Sequence, residues 1–157
     1  MRLFKCIVVS QLLLCACTNI DDNVTREVRT LYDSRGIVFD KNLETCLVLP
    51  EVGCGGCIDG AVYFLNKNKE FYRKEQRYNM FVLTAVTSPK MALRSLNEVS
   101  LEQYYCIWDS TNLYLSEGNN AIYPLLLYLK DGKIMKAQYQ SPFTDDVLGA
   151  LEKTIKR

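Results

Sequence analysis

Apolar residues fall along this chain in two alternating rhythms, short β-prone runs and longer stretches at helical spacing, and the alternation predicts an α/β domain. Val24, Val28 and Leu31 sit at i, i+4 and i+7 within the otherwise polar residues 18–35, which reads as a tether followed by a short amphipathic helix. Ile37-Val38-Phe39 reads as an edge strand, and Thr45 to Val52, apolar nearly throughout, as a central one. From Cys57 a helix carries Ile58, Ala61, Val62 and Leu65 on the same face and ends in Asn66-Lys67-Asn68-Lys69. Met80 to Val86 is a second strand, and Ser88-Pro89 opens a helix with Leu93 and Leu96 inward. Tyr104 to Trp108 is a third strand, followed by a loop over residues 110–120. Tyr123 to Leu129 and Ile134 to Tyr139 flank Asp131-Gly132, a hairpin signal. The last helix starts near Thr144, with Asp145 and Asp146 in its first turn, basic residues at its end, and Val147, Leu148, Leu151 and Ile155 inward.

The junction between the central strand and its helix is Gly53-Cys54-Gly55-Gly56-Cys57. Two thiols at this spacing can close a disulfide and trade it with a partner. Cys54 falls at the helix N-terminus, where unsatisfied N–H groups favour thiolate, the nucleophile in exchange. Cys57 is turned toward the core, so Cys54 is the candidate attacker and Cys57 the candidate resolver.

Composition narrows the chemistry. The 157 residues contain no histidine, which removes imidazole-based triads and the usual zinc and copper sites. A Cys₄ zinc site is disfavoured because Cys46 and Cys106 lie 60 positions apart and form no second Cys-x-x-Cys, and neither a metal nor another cofactor is expected. With 19 basic and 18 acidic residues the net charge is +1, so nothing suggests nucleic acid.

The first residues set the compartment. Arg2 and Lys5 precede an apolar run from Cys6 to Leu14, too short to span a bilayer, and small residues follow. Leu14-Cys15-Ala16-Cys17 resembles the lipobox of bacterial lipoproteins, with Cys17 the better lipid acceptor because Ala16 suits the preceding position and Leu14, before Cys15, does not. An ordinary secretory signal or an apolar helix start is the alternative. The expected division is a signal peptide over 1–16, a lipidated tether and short helix over 17–35, and a folded domain over 36–157. The resemblance implies a lipid anchor in the bacterial envelope, facing the periplasm; Asp21-Asp22 also fits surface display. Removing 1–16 moves the charge to −1 and leaves Cys46, Cys54, Cys57 and Cys106 as thiols.

The order strand, Cys-x-x-Cys, helix, strand, helix, strand, hairpin and terminal helix resembles the thioredoxin fold, a three-layer α/β arrangement with a central mixed sheet flanked by helices. Ile122-Tyr123-Pro124 and the aliphatic run to Leu129, then Lys130-Asp131-Gly132-Lys133, resemble the thioredoxin segment with a cis-proline and Gly-containing hairpin. The 66 residues between Cys57 and Pro124 leave room for an added helix, as in the TlpA-type envelope thiol–disulfide oxidoreductases. The resemblance implies catalytic Cys54 and Cys57, a cis Tyr123–Pro124 bond, substrate contact through Tyr123 and Pro124, and envelope proteins carrying thiols or disulfides as partners. Three departures stand out: no Trp precedes Cys54, apolar Val48 holds the place of a buried acid that Glu51 could replace, and Gly55-Gly56 lacks a proline. A non-catalytic binding or assembly subunit with a structural disulfide is the alternative. Cys46 and Cys106 read as core packing that could pair only from neighbouring strands. Asp109 reads as a strand-end cap, and Tyr104 and Tyr105 beside Trp108 as core or a partner surface.

Overall fold

A computed structural model describes residues 23–156, apart from 76–77, 79, 89, 91–95 and 97–103. The signal and lipobox residues, Cys17 among them, lie outside the described residues, as do Pro89 and Leu93 of the helix expected after Ser88. In chain order the elements are α1 (Asn23–Ser34), β1 (Thr45–Pro50), α2 (Gly55–Lys67), α3 (Lys69–Lys74), β2 (Met80–Thr84), β3 (Tyr105–Asp109), β4 (Leu125–Lys130), β5 (Lys133–Tyr139) and α4 (Val147–Ile155), with a 3₁₀ turn at Gly118–Ile122 before β4.

The strands form one mixed sheet in the order β3-β2-β1-β4-β5. β1, β2 and β3 run parallel, with Cys46 opposite Met80 and Phe81 opposite Cys106, while β4 is antiparallel to both β1 and β5. β1 is central and every residue in it is buried, as expected of a strand covered on both faces. The pleat sends Leu47 and Leu49, with Phe81, Leu83 and Leu126, to a face packed by Ala61, Phe64 and Leu65 of α2, Tyr72 of α3 and Val147, Leu148 and Leu151 of α4. Cys46, Val48, Met80, Val82, Leu125 and Leu127 go to the opposite face, under Val28 and Tyr32 of α1. Each fully buried aliphatic or aromatic side chain contributes about 1.5–3 kcal/mol, so both faces are needed to hold the sheet. The result is the three-layer α/β arrangement, with a mixed sheet between helices.

α1 is part of that arrangement. Its buried stripe is Thr25, Val28 and Tyr32, and it closes the exposed margin of the edge strand β5. The Ala137 N–H donates to Thr25 Oγ1 at 3.0 Å, and the Arg29 guanidinium donates to the Ile134 carbonyl at 2.8 and 3.2 Å. Edge strands left bare invite pairing with other chains, and here two helix side chains occupy two of the backbone groups of β5. At the far end of α1, Tyr32 Oη donates to the Tyr114 carbonyl at 2.8 Å and Arg35 donates to the carbonyls of Leu113 and Leu115. The short helix expected after the tether is therefore bonded to the domain at both ends.

Other boundaries shift for local reasons. Ile37–Phe39 is not a strand: the Ile37 N–H donates to the Tyr32 carbonyl, closing the end of α1, and the segment drops Phe39 into the core while Val38 stays 86% exposed. α2 reaches Lys67, and the chain restarts as α3 because buried Asn68 serves both helices: its amide donates to the Phe64 carbonyl at 2.9 Å and its own carbonyl accepts from Phe71 and Tyr72. The Asp131-Gly132 hairpin forms as expected, with φ of 51° and 77° at its two central residues. Asp146 caps α4 by accepting from the Gly149 N–H at 3.0 Å.

Candidate active site

Pro50 closes β1 in register with Thr84, and the chain turns over four residues before α2 begins at Gly55. Cys54 is the N-cap residue of α2, and its carbonyl accepts from the N–H groups of Cys57 and Ile58 at 3.0 and 2.9 Å. Cys54 and Cys57 form a disulfide, with their Cα atoms 5.3 Å apart. No acidic residue lies in the first turn of α2, so no carboxylate there opposes the positive helix end, which favours a thiolate by about 0.3–1 kcal/mol. Both cysteines are half-buried, so the contrast expected between an exposed Cys54 and a buried Cys57 is one of position along the helix and not of solvent access.

The segment before β4 forms the wall beside this disulfide. The Cys54 N–H donates to the Ile122 carbonyl at 2.9 Å. That approach explains the Gly before the first cysteine. A Cβ at position 53 would strike the Ile122 carbonyl oxygen and lie 2.8 Å from its Cα, whereas one at position 55 or 56 would meet nothing within 4 Å. Val52 and Ile122, 79% and 42% exposed, give the rim an apolar surface. Glu51 Oε2 accepts from the N–H and hydroxyl of Thr87 at 2.9 and 3.3 Å, so this carboxylate ties the β1 exit to the loop after β2.

Tyr123 and Pro124 stand next to this contact, but two details differ from expectation. The Tyr123–Pro124 bond is trans, there being no cis peptide among the described residues. Tyr123 takes the extended conformation that a following proline favours, with φ −108° and ψ 143°, and its N–H is donated back to the Asn120 carbonyl to close the 3₁₀ turn. The carbonyl that meets the Cys-x-x-Cys turn is consequently that of Ile122, one residue earlier. Pro124 is fully buried and its carbonyl accepts from the Gln140 N–H at 2.8 Å, while half-buried Tyr123 lines a small cleft with Pro50, Thr84 and Tyr114. Ile122 and the clearance required at Gly53 escaped the sequence reading because the two segments are joined only by the fold.

The remaining cysteines cannot bridge. Cys46 on β1 and Cys106 on β3 are separated by β2 and point to opposite faces of the sheet. Burial pushes the Cys46 thiol far above its ordinary range and the Cys106 thiol up to about 12. Asp109 ends the edge strand β3, is 4% exposed, and accepts from Thr84 Oγ1 at 2.6 Å, the Tyr114 N–H at 2.8 Å and Thr111 through both N–H and hydroxyl. Burial alone would raise its pKa, but these donors together outweigh it and hold the carboxyl below its ordinary value. Tyr104 is core, its hydroxyl donating to the Leu65 carbonyl at 2.7 Å, while Tyr105 is exposed. Among the described residues no group of three His, Cys, Asp or Glu is placed to hold a metal, and no helix is long and apolar enough to cross a membrane. No family model, curated protein or solved structure matches the chain.

Proposed function

We propose that the protein is a thioredoxin-like thiol–disulfide oxidoreductase of the bacterial envelope, anchored by lipid on Cys17 and exchanging disulfides with envelope proteins. The observation that carries this reading is a disulfide between Cys54 and Cys57 at the N-terminus of a helix, half-exposed at the end of the central parallel strand. Ligand sites in open α/β sheets lie at the carboxyl ends of such strands. A disulfide needed only for stability gains least there, because stabilisation by loop closure is smallest for so short a loop and the chain's core is already large.

In the reductive direction the Cys54 thiolate attacks a substrate disulfide, forming a mixed disulfide and releasing one substrate thiolate. The Cys57 thiolate then attacks the Cys54 sulfur, restoring the internal disulfide and releasing the second substrate thiolate. The substrate gains two electrons and the protein dithiol loses them, with protons taken up from solvent as the thiolates' pKa values require. The same steps reversed oxidise a substrate dithiol. Val52, Ile122 and half-buried Tyr123 supply the wall against which an extended substrate lies, with fully buried Pro124 behind it.

Trapping tests the assignment. With Cys57→Ser, the mixed disulfide has no internal resolver and should accumulate through Cys54, visible as a mass adduct that dithiothreitol removes. Adducts forming equally at Cys46 or Cys106, or none at all, overturn the reading in favour of a non-catalytic subunit with a structural bond.

A further inference from the structure

The way α1 is bonded to the domain changes the meaning of the residues before it. Because Thr25 and Arg29 hold β5, Val28 and Tyr32 fill the core and Arg35 grips the 113–115 loop, the folded body includes α1 from Asn23 onward. Only residues 18–22 then separate Cys17 from that body. Fully extended, the chain from Cys17 to Asn23 spans at most about 20 Å. A domain of this length has a radius of gyration of about 14 Å and is roughly 35 Å across. The tether is shorter than the body it carries.

We propose that this short connection bars the protein from disulfides held on fixed partners more than about 55 Å from the bilayer, and leaves it those close to the membrane and those that diffuse to it. No point of the domain, Cys54 included, stands farther than about 55 Å from the bilayer, the sum of the tether and the body. A disulfide beyond that distance on another fixed molecule has an effective concentration near zero at Cys54, whatever its chemistry. The inference rests on lipidation at Cys17 and on exchange at Cys54, and its test separates the three.

The lipidated full chain and a second version with a flexible 60-residue Gly/Ser segment after Asp22 are placed in vesicles. Three reporter disulfides are offered: one on a lipid headgroup, one on an upright coiled-coil spacer about 75 Å above the same bilayer, and one free in solution. The added segment has a root-mean-square length of about 40 Å, enough to bring the raised reporter within range. The expected result is equal rates for both chains on the soluble reporter, reaction of both at the headgroup, and at least about tenfold faster reaction of the extended chain on the raised one. Equal rates of the two chains on the raised reporter overturn the restriction. Failure of the parent chain to float with vesicles removes the anchor and the inference with it, and inactivity of both chains on the soluble reporter removes the exchange activity instead.

Discussion

Three glycines within four positions are predicted to respond to alanine with opposite signs. Gly53→Ala places a Cβ against the Ile122 backbone, 2.8 Å from Cα and 2.9 Å from the carbonyl carbon, where no side chain can yield. Either the 118–124 segment moves or the Cys54 N–H loses its 2.9 Å bond to Ile122. Forced displacement costs about 1–3 kcal/mol and the lost bond about 1 kcal/mol, against a gain of about 0.4–1 kcal/mol from a less flexible unfolded chain. With displacement as the dominant cost, the net expectation is a loss of about 1–2 kcal/mol. Gly55→Ala and Gly56→Ala meet open space in the first turn of α2, so only the gain survives, about 0.5 kcal/mol each. Urea unfolding of the three oxidised variants at pH 7 reads this as midpoints shifted down for the first and up for the others, with unchanged slopes. If Gly53→Ala unfolds at or above the parent midpoint, the contact between the Cys-x-x-Cys turn and the Ile122 wall is not as described.

Further outcomes follow from the same structure. Asp109→Ala strands the buried Thr84 hydroxyl and Tyr114 N–H without their acceptor and should cost about 2–4 kcal/mol in urea unfolding at pH 7. Because the folded pKa of Asp109 is depressed, its contribution is present above the unfolded value of about 3.9 and fades as pH falls through the folded one. Asp109→Asn should therefore show a flatter loss of stability below pH 4 than the parent, and parallel acid limbs would contradict that. In the reduced protein, one equivalent of iodoacetamide at neutral pH should label Cys54 ahead of all other thiols by peptide mapping, since burial raises the pKa of both Cys46 and Cys106; four slow and equivalent thiols would count against it. Thr25→Val with Arg29→Ala removes three hydrogen bonds that cover the β5 edge and should lower stability by about 2 kcal/mol and promote self-association on sizing columns. An unchanged monomer would show that α1 does not guard that edge.

Local pattern carried much of this architecture. The apolar run of β1 announces burial on both faces, Asp131-Gly132 supplies the conformations its turn requires, and acid followed by an apolar stripe announces α4, although the helix starts at Val147 and not near Thr144, with Asp146 as its N-cap and not in its first turn. Cys54 was readable as a helix N-cap for the same reason, a β-prone run ending at Gly beside an apolar stripe at helical spacing. What could not be read was decided by distant partners. Thr25 and Arg29 look like the polar face of a short helix after the tether until β5, more than 100 positions away in sequence, supplies a carbonyl and an N–H for them. Phe39 looks like a strand residue because hydrophobicity does not say whether a backbone is paired. Asn68, a turn former by type, instead bridges two helices. At the site, the proximity of Gly53 to Ile122 exists only once the loop before β4 has folded over β1's end, so the sequence pointed to Tyr123 and was one residue late.

Insulin reduction by the parent, Cys54→Ser and Cys46→Ala/Cys106→Ala proteins, each supplied with dithiothreitol, measures whether the Cys54–Cys57 pair turns over. Rates above the dithiothreitol background for the parent and the double variant, falling to background in Cys54→Ser, are the predicted result; a parent no faster than Cys54→Ser would contradict thiol–disulfide exchange at this site.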